Sequence, residues 1–298
     1  MTNVLKLPLE KNSVVQQLQL NEQFQNLFIK RDDLIHPIIS GNKWRKLKYN
    51  IELVEKSKYD GILTFGGAFS NHLLAVAYSC KLMNLRCVGI VRGEELNPQS
   101  NSILSYCESL GMELKFVTRV DYSFREESEY KQDLLSEFPN FWIVPEGGAN
   151  YHGIIGCMEI MKETSNDYEF VFVSQGTTAT SLGILLSIPS NTKLIVCPAL
   201  KRFDSKMEMS KRLSKMGFEL EFIDEKMKQV NVLNTDEFGN YGHTNETLKL
   251  FSAEFYQRTK IPLDLTYNAR SIFKMIEFIE NNHINKAKTL YIHTGGFS

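Results

Sequence analysis

No run in this 298-residue chain approaches the roughly 20 consecutive apolar residues of a membrane-spanning helix, so a membrane protein of that kind is not expected. Neither sign of charge dominates. Lys and Arg number 34 against 35 Asp and Glu, net −1, which leaves no bulk attraction for nucleic acid or an anionic membrane. Cysteine is scarce and scattered, at Cys80, Cys87, Cys107, Cys157 and Cys197, without the CxxC or CxxH spacing of a zinc site. These read as reduced, mostly buried thiols of a cytoplasmic protein, and no metal is expected. The opening Met1–Pro8 lacks the charged-then-apolar layout of a signal peptide, in keeping with a cytoplasmic location. Internal repeats and low-complexity tracts are absent as well. What remains is a globular composition, 43% hydrophobic and 23% charged, long enough for one large domain or two of ordinary size.

Short apolar runs alternate with longer helical patterns. Strands are expected at Gly61–Phe65, Arg86–Val91, Glu113–Val117, Phe141–Val144, Phe170–Ser174, Lys193–Cys197, Glu219–Ile223 and Thr289–His293. Helices are expected at His72–Met83, Asn101–Leu110, Gly153–Glu163, Ser181–Ser187, Asn245–Thr259 and Ala269–Asn281. Asp121–Ser136 reads as an exposed loop and helix, and residues 201–240 show little periodicity. Strands separated by helices imply parallel sheets with covered faces, hence an α/β fold. Right-handed crossovers then gather the glycine-rich turns that follow the strands on one face.

Several of those turns carry chemistry. Gly41-Asn42 before Lys43 suits a tight turn entering a helix, with the cations Arg45, Lys46 and Lys48 placed to favour a neutral, nucleophilic amine. A basic helix start on a solvated face is the plainer local alternative. Ser174-Gln175-Gly176-Thr177-Thr178-Ala179-Thr180-Ser181 is a hydroxyl-rich strand-to-helix turn, whose backbone N–H groups and helix dipole suit a phosphate dianion. It could equally be an ordinary helix cap. No Gly-Lys-Ser/Thr follows, so it is not a Walker loop. Ser70-Asn71-His72 stands at the mouth of the Gly66-Gly67 turn, where Ser70 could cap the helix and Asn71 offers a neutral amide donor. A histidine such as His72 is more often structurally satisfied than catalytic. Tyr241 and Tyr267 occupy loop contexts, and a desolvated phenol beside cations can act as acid or base. Gly147 and Gly148, after Glu146, permit positive φ and close backbone approach.

Taken in order, Ile29–Leu47 with its Ser40-Gly41-Asn42-Lys43 core, Thr64–His72, Pro145–Gly148, Gly176–Thr180 and Tyr267…His293-Thr294-Gly295-Gly296 resemble fold-type II pyridoxal-phosphate enzymes. Within these, the chain looks like the D-cysteine desulfhydrase and 1-aminocyclopropane-1-carboxylate deaminase family, from about residue 28 onward. The resemblance implies two three-layer α/β domains, a large one of residues 1–43 and 149–298 and a nested small one of 44–148. Pyridoxal 5′-phosphate would lie in the cleft between them, and the protein would be a homodimer acting on a small amino acid. It implies that Lys43 holds the cofactor as a Schiff base and that Gly176, Thr177, Thr178, Ala179 and Thr180 hold its phosphate. Asn71 would lie beside its phenolic oxygen and Thr294 would face its pyridine nitrogen. Ser70, Asn71 and His72 would meet the substrate, with Ser70, Tyr241 and Tyr267 beside Lys43 as catalytic groups. A hydroxyl at the pyridine nitrogen makes the ring a weaker electron sink, which suits elimination over transamination. Deaminases of the family read Tyr-Glu-Gly-Lys where this chain has Tyr267-Asn268-Ala269-Arg270. The missing carboxylate favours D-cysteine desulfhydration to pyruvate, sulfide and ammonia over deamination of 1-aminocyclopropane-1-carboxylate. A same-fold amino-acid racemase and a cofactor-binding protein without turnover stand as further alternatives.

Overall fold

A computed structural model describes residues 8–20, 23–240 and 242–296. Its strands are β1 (Val15–Gln17), β2 (Leu27–Lys30), β3 (Gly61–Gly67), β4 (Arg86–Arg92), β5 (Met112–Val117), β6 (Phe141–Val144), β7 (Phe170–Gln175), β8 (Lys193–Pro198), β9 (Val230–Val232) and β10 (Thr289–Ile292). They form a six-stranded sheet of order β1-β2-β10-β7-β8-β9 and a four-stranded sheet of order β5-β4-β3-β6. All neighbours run parallel except β1, which is antiparallel to β2. The α/β fold with parallel sheets follows as expected.

The α-helices are α1 (Asn42–Ser57), α2 (Asn71–Leu82), α3 (Ser102–Ser109), α4 (Arg119–Ser123), α5 (Ser128–Glu137), α6 (Tyr151–Lys162), α7 (Ala179–Ser187), α8 (Ser205–Lys215), α9 (Leu220–Lys228), α10 (Glu246–Thr259) and α11 (Asn268–Asn281). Alternate residues of the central strands feed two cores. Val171, Val173, Leu194 and Val196 pack with α6, α7 and α8 on one face of the large sheet. Phe172, Ile195 and Tyr291 pack with α10 and α11 on the other. The small sheet repeats the plan, with α1, α2 and α3 on one side and Tyr122, Leu134 and Phe138 on the other. Each fully buried Leu, Ile or Phe stabilises such a layer by about 1.5–3 kcal/mol.

Helix α1 joins the two sheets' helical layers. Leu47, Ile51 and Val54 enter the small-sheet core, while its opposite face lies on α6. The two helix backbones touch at Gly156, where an added Cβ would fall 1.8 Å from the Arg45 carbonyl oxygen.

One expected strand is wrong. Glu219–Ile223 is the N-cap and first turn of α9, because its short alternation of apolar residues is not matched by burial. Leu220 is exposed, Phe222 stacks on Phe218, and only Ile223 of this helix is fully buried. The strands β1, β2 and β9 had no clear sequence signal because they are only three or four residues long, and helix α8 because Met207, Met209 and Leu213 are its few apolar residues.

Candidate active site

Four segments distant in sequence are knitted together around Lys43. Gly41, at φ +63°, donates its N–H to the Asp32 carbonyl at 3.1 Å. Its Cα hydrogen faces the Thr294 carbonyl so closely that a Cβ would sit 1.9 Å from that oxygen. Only glycine fits both constraints. The next N–H, of Asn42, is donated to the same Thr294 carbonyl at 3.2 Å, and the Asn42 amide donates to Thr180 Oγ1 at 2.9 Å. The lysine turn is thereby tied to the end of β10 and to the start of α7.

Burial pushes the Lys43 amine down to about 8, assisted by the charge of Lys46 and opposed by Asp264. The expected contribution of Arg45 and Lys48 is absent, because both point away and are neutralised. Arg45 is wholly buried against Asp32 (Nη2 to Oδ1, 3.1 Å) and Glu163 (Nη2 to Oε2, 2.8 Å). Lys48 pairs with Glu10 and Glu159. Lys46 is the cation that matters, and the sequence reading used it only as a neighbour. Its ammonium is buried with one long contact, to Thr177 Oγ1 at 3.4 Å, and no acid pairs with it among the described residues. Burial pushes its amine below the usual lysine value, and Arg212 acts in the same direction. The available signal was its spacing: three positions after Lys43, it shares that residue's helix face.

Gly176, Thr177 and Thr178 lie between β7 and α7. Thr178 is the N-cap, yet its side chain makes no cap bond and its buried Oγ1 has no partner. Thr180 and Ser181 are committed instead, Thr180 to Asn42 and Ser181 to Gln175 and the Thr178 carbonyl. A buried unpaired ammonium facing an uncapped helix start costs free energy unless an anion arrives, and a phosphate dianion satisfies both. Gly147 and Gly148 take positive φ, at +65° and +67°. A Cβ there would strike Thr177 Cγ2 at 2.7 Å and Lys46 Cβ at 2.9 Å, so these glycines allow close approach to that cradle.

Ser70 caps α2, accepting from Leu73 N–H at 3.3 Å. His72 is buried and held neutral. Thr64 Oγ1 donates to the Val144 carbonyl at 2.7 Å, so the His72 Nε2–H is the donor to Thr64 at 2.9 Å. Burial, with Lys46 and Lys43 nearby, pushes its pKa down to about 3. Asn71 is half-buried and lines a cavity of about 860 Å³ together with Tyr267, Asp264, Phe69, Gly242 and His243. The Tyr267 ring lies against Gly176, where a Cβ would meet its Cε1 at 3.1 Å. Tyr241 lies outside the described residues.

Thr294, at the end of β10, shares a hydrogen bond of 2.9 Å with Ser174 Oγ. Asn268 is fully buried and its side chain is spent on the scaffold. Its Oδ1 accepts from Tyr291 Oη (3.0 Å) and from Thr294 N–H (3.2 Å), and its Nδ2 donates to Gly295 O (2.9 Å) and Asp264 Oδ2 (3.1 Å). Asp264 also accepts from the backbone N–H groups of Tyr267 and Asn268. Sequence reasoning overlooked Asp264, which nothing in its spacing marks, and named Ser174 and Asn42 only as members of their turns, without the side-chain bonds they make to Thr294 and Thr180.

A lysine whose amine loses its proton near neutrality, set beside a phosphate cradle at the ends of parallel strands, is what a pyridoxal-phosphate enzyme of this architecture requires. The chain belongs to that family: residues 6–214 match the family described as pyridoxal-phosphate dependent enzyme. A Pyrococcus horikoshii protein carrying a provisional 1-aminocyclopropane-1-carboxylate deaminase name is 28% identical over 282 residues, covering 92% of this chain and 85% of that one. The mitochondrial bifunctional D-cysteine desulfhydrase/1-aminocyclopropane-1-carboxylate deaminase of Arabidopsis thaliana is 26% identical over 294 residues, 91% of this chain and 72% of its own. The D-cysteine desulfhydrase of Serratia proteamaculans is 24% identical over 289 residues, 91% and 87%. The crystal structure of an ACC deaminase homologue superposes with a TM-score of 0.78 at 22% identity, covering 98% of this chain and 93% of that one, which shows the shared fold. No helix among the described residues is long and apolar enough to cross a membrane.

Proposed function

We propose that the enzyme is a lyase of a small β-substituted amino acid, D-cysteine by preference, releasing pyruvate, ammonia and sulfide with uptake of one water. The observation that carries this reading is the hydroxyl pair Ser174–Thr294, backed by an uncharged Asn268 whose Oδ1 accepts from Thr294 (N–H 3.2 Å, Oγ1 3.4 Å) and whose Nδ2 is spent on Gly295 and Asp264. No carboxylate bonds to either hydroxyl among the described residues. In this reading Lys43 carries the cofactor, the turn Gly176–Thr180 and Lys46 hold its phosphate, Asn71 meets its phenolic oxygen, and Thr294 faces its ring nitrogen. The cofactor supplies an electron sink for the pair left on Cα.

The chain's own groups do the rest. Lys43 Nζ, poised near pH 8, takes the Cα proton. Ser70, Asn71 and His72 bind the substrate at the start of α2, where the neutral His72 adds no charge of its own. Tyr267, with Tyr241, passes a proton to the departing sulfur. The domain division at residues 43/44 and 148/149, a homodimer and a cytoplasmic location are parts of the same proposal.

The test is a side-by-side assay of pyruvate and sulfide release from D- and L-cysteine, D- and L-serine, 3-chloro-D-alanine and 1-aminocyclopropane-1-carboxylate, the last followed by its own 2-oxo acid. D-Cysteine or 3-chloro-D-alanine should give the highest kcat/KM. A higher value for 1-aminocyclopropane-1-carboxylate overturns the reading, and interconversion of enantiomers without release makes the enzyme a racemase.

A further inference from the structure

Arg270 is nearly wholly buried in the first turn of α11, yet no carboxylate accepts from it among the described residues. Its guanidinium is satisfied by backbone carbonyls alone. Nε donates to Leu265 at 3.3 Å, Nη1 to Gly239 at 3.1 Å, and Nη2 to Phe238 at 3.3 Å, to Asn240 at 3.1 Å and to His243. Four of those five carbonyls, of Phe238, Gly239, Asn240 and His243, lie close together in sequence, where the backbone turns at positive φ at Gly239 (+90°) and Gly242 (+78°). The other hydrogen bonds described for Gly239, Asn240 and His243 are local turn bonds, Gly239 N–H to Asp236 O and His243 N–H to Asn240 O. Among the described residues, Arg270 therefore supplies the hydrogen bonds that tie the carbonyls of Gly239, Asn240 and His243 to the body of the protein. The segment is not a remote surface loop, because Gly242 and His243 line the same cavity as Asn71, Asp264 and Tyr267.

We infer that Arg270 is a positioning residue for substrate: its guanidinium fixes the Gly239, Asn240 and His243 carbonyls, and with them the wall that Gly242 and His243 give to the cavity that receives the amino-acid side chain. This rests on the proposed function in taking that cavity as the substrate side. Burial disfavours the charge of Arg270 and pushes its pKa down, but guanidinium stays ionised, so the carbonyl dipoles that surround it are held in place by a permanent cation. Arginine is the residue for this task because its planar fork directs five N–H groups outward at fixed angles. Lysine has three donors on one point charge and cannot reach carbonyls spread from Phe238 to Leu265.

The experiment uses the cofactor-loaded enzyme and its Arg270→Lys variant. Hydrogen exchange should quicken in the peptide spanning 238–245 and not elsewhere. Substrate KM should rise roughly tenfold or more while kcat falls less than about threefold, with the visible cofactor band unchanged. A second variant, Gly242→Ala, disturbs the same wall without touching Arg270, since its Cβ meets nothing within 4 Å and only the positive φ is strained. It should shift KM in the same direction, and it stands in if Arg270→Lys does not fold. Unchanged exchange at 238–245 in Arg270→Lys overturns the clamp. Quickened exchange with normal KM, or a loss confined to kcat or to cofactor retention, overturns the role in substrate positioning. If no amino acid of the assay panel turns over, the proposed activity has failed separately. The same comparison is then read from amino-acid affinity by titration of the cofactor band, where equal affinities again overturn the inference.

Discussion

The two faces of helix α1 treat buried positive charge in opposite ways. On the face against α6, Arg45 meets Asp32 and Glu163, Lys48 meets Glu10 and Glu159, and nearby Lys30 shares Glu163 at 2.7 Å. On the face turned to the β7–α7 turn, Lys43 and Lys46 have no acid in salt-bridge reach among the described residues, and both amines are pushed down. Charge on the first face is structural and complete. Charge on the second is left unpaired among the described residues, and in the proposed function the cofactor phosphate completes it. Adjacent residues of one basic run thus hold the fold or, on the function proposed above, hold the cofactor, depending on which way the helix points them.

Breaking either face should give different losses. Lys43→Ala, which leaves no amine to carry the cofactor, should abolish both the visible band and turnover, and borohydride reduction with peptide mapping of the parent should label Lys43. Labelling of another lysine would falsify the assignment. Arg45→Met, on the structural face, leaves Asp32 buried and short of its main partner, and should cost about 3–5 kcal/mol in urea unfolding of the cofactor-free protein. Lys46→Met should cost that protein little or nothing, since an unpaired buried cation is removed. It should instead weaken cofactor affinity by about 1.5–3 kcal/mol, read by absorbance titration. An equal loss of stability in the two variants would erase the distinction between the faces.

Lys43 also gives a pH dependence. The neutral amine is the nucleophile, so cofactor loading should slow about tenfold per pH unit below about 8 and level off above it. Removing the Lys46 charge favours protonated Lys43, so the midpoint should move upward in Lys46→Met. Thr294→Val is the mildest change: loss of one hydrogen bond to a neutral nitrogen should slow turnover by the equivalent of about 0.5–1.5 kcal/mol.

Much of this was legible beforehand, and the remainder was hidden for definable reasons. The central strands announced themselves because parallel strands buried on both faces are continuous apolar runs, as in Phe170–Gln175 and Lys193–Pro198. Lys43 drew notice because glycine and asparagine precede it. Lys46 was named only as a neighbour because, in a basic run, partner and orientation cannot be read from letters. Glu219–Ile223 misled because five residues fit two periods equally well. Asn268 was noticed for what it lacks, a carboxylate. Its role as a junction for Tyr291, Thr294, Gly295 and Asp264 depends on contacts spanning up to 27 positions.

The Thr294 carbonyl that closes the lysine turn has a consequence for how the enzyme is made. Lys43 emerges early from the ribosome, but the strand that seats it, β10, lies in the middle of the large sheet between β2 and β7 and is translated last among the strands. Until residues 289–294 are synthesised, β2 has no bridge to β7, and Asn42 has no carbonyl to receive its N–H. The small sheet, whose strands all fall within residues 61–144, can assemble while translation continues. On the proposed role of Lys43, cofactor capture is therefore one of the final events in the birth of this molecule, and a nascent chain carries that lysine unarmed.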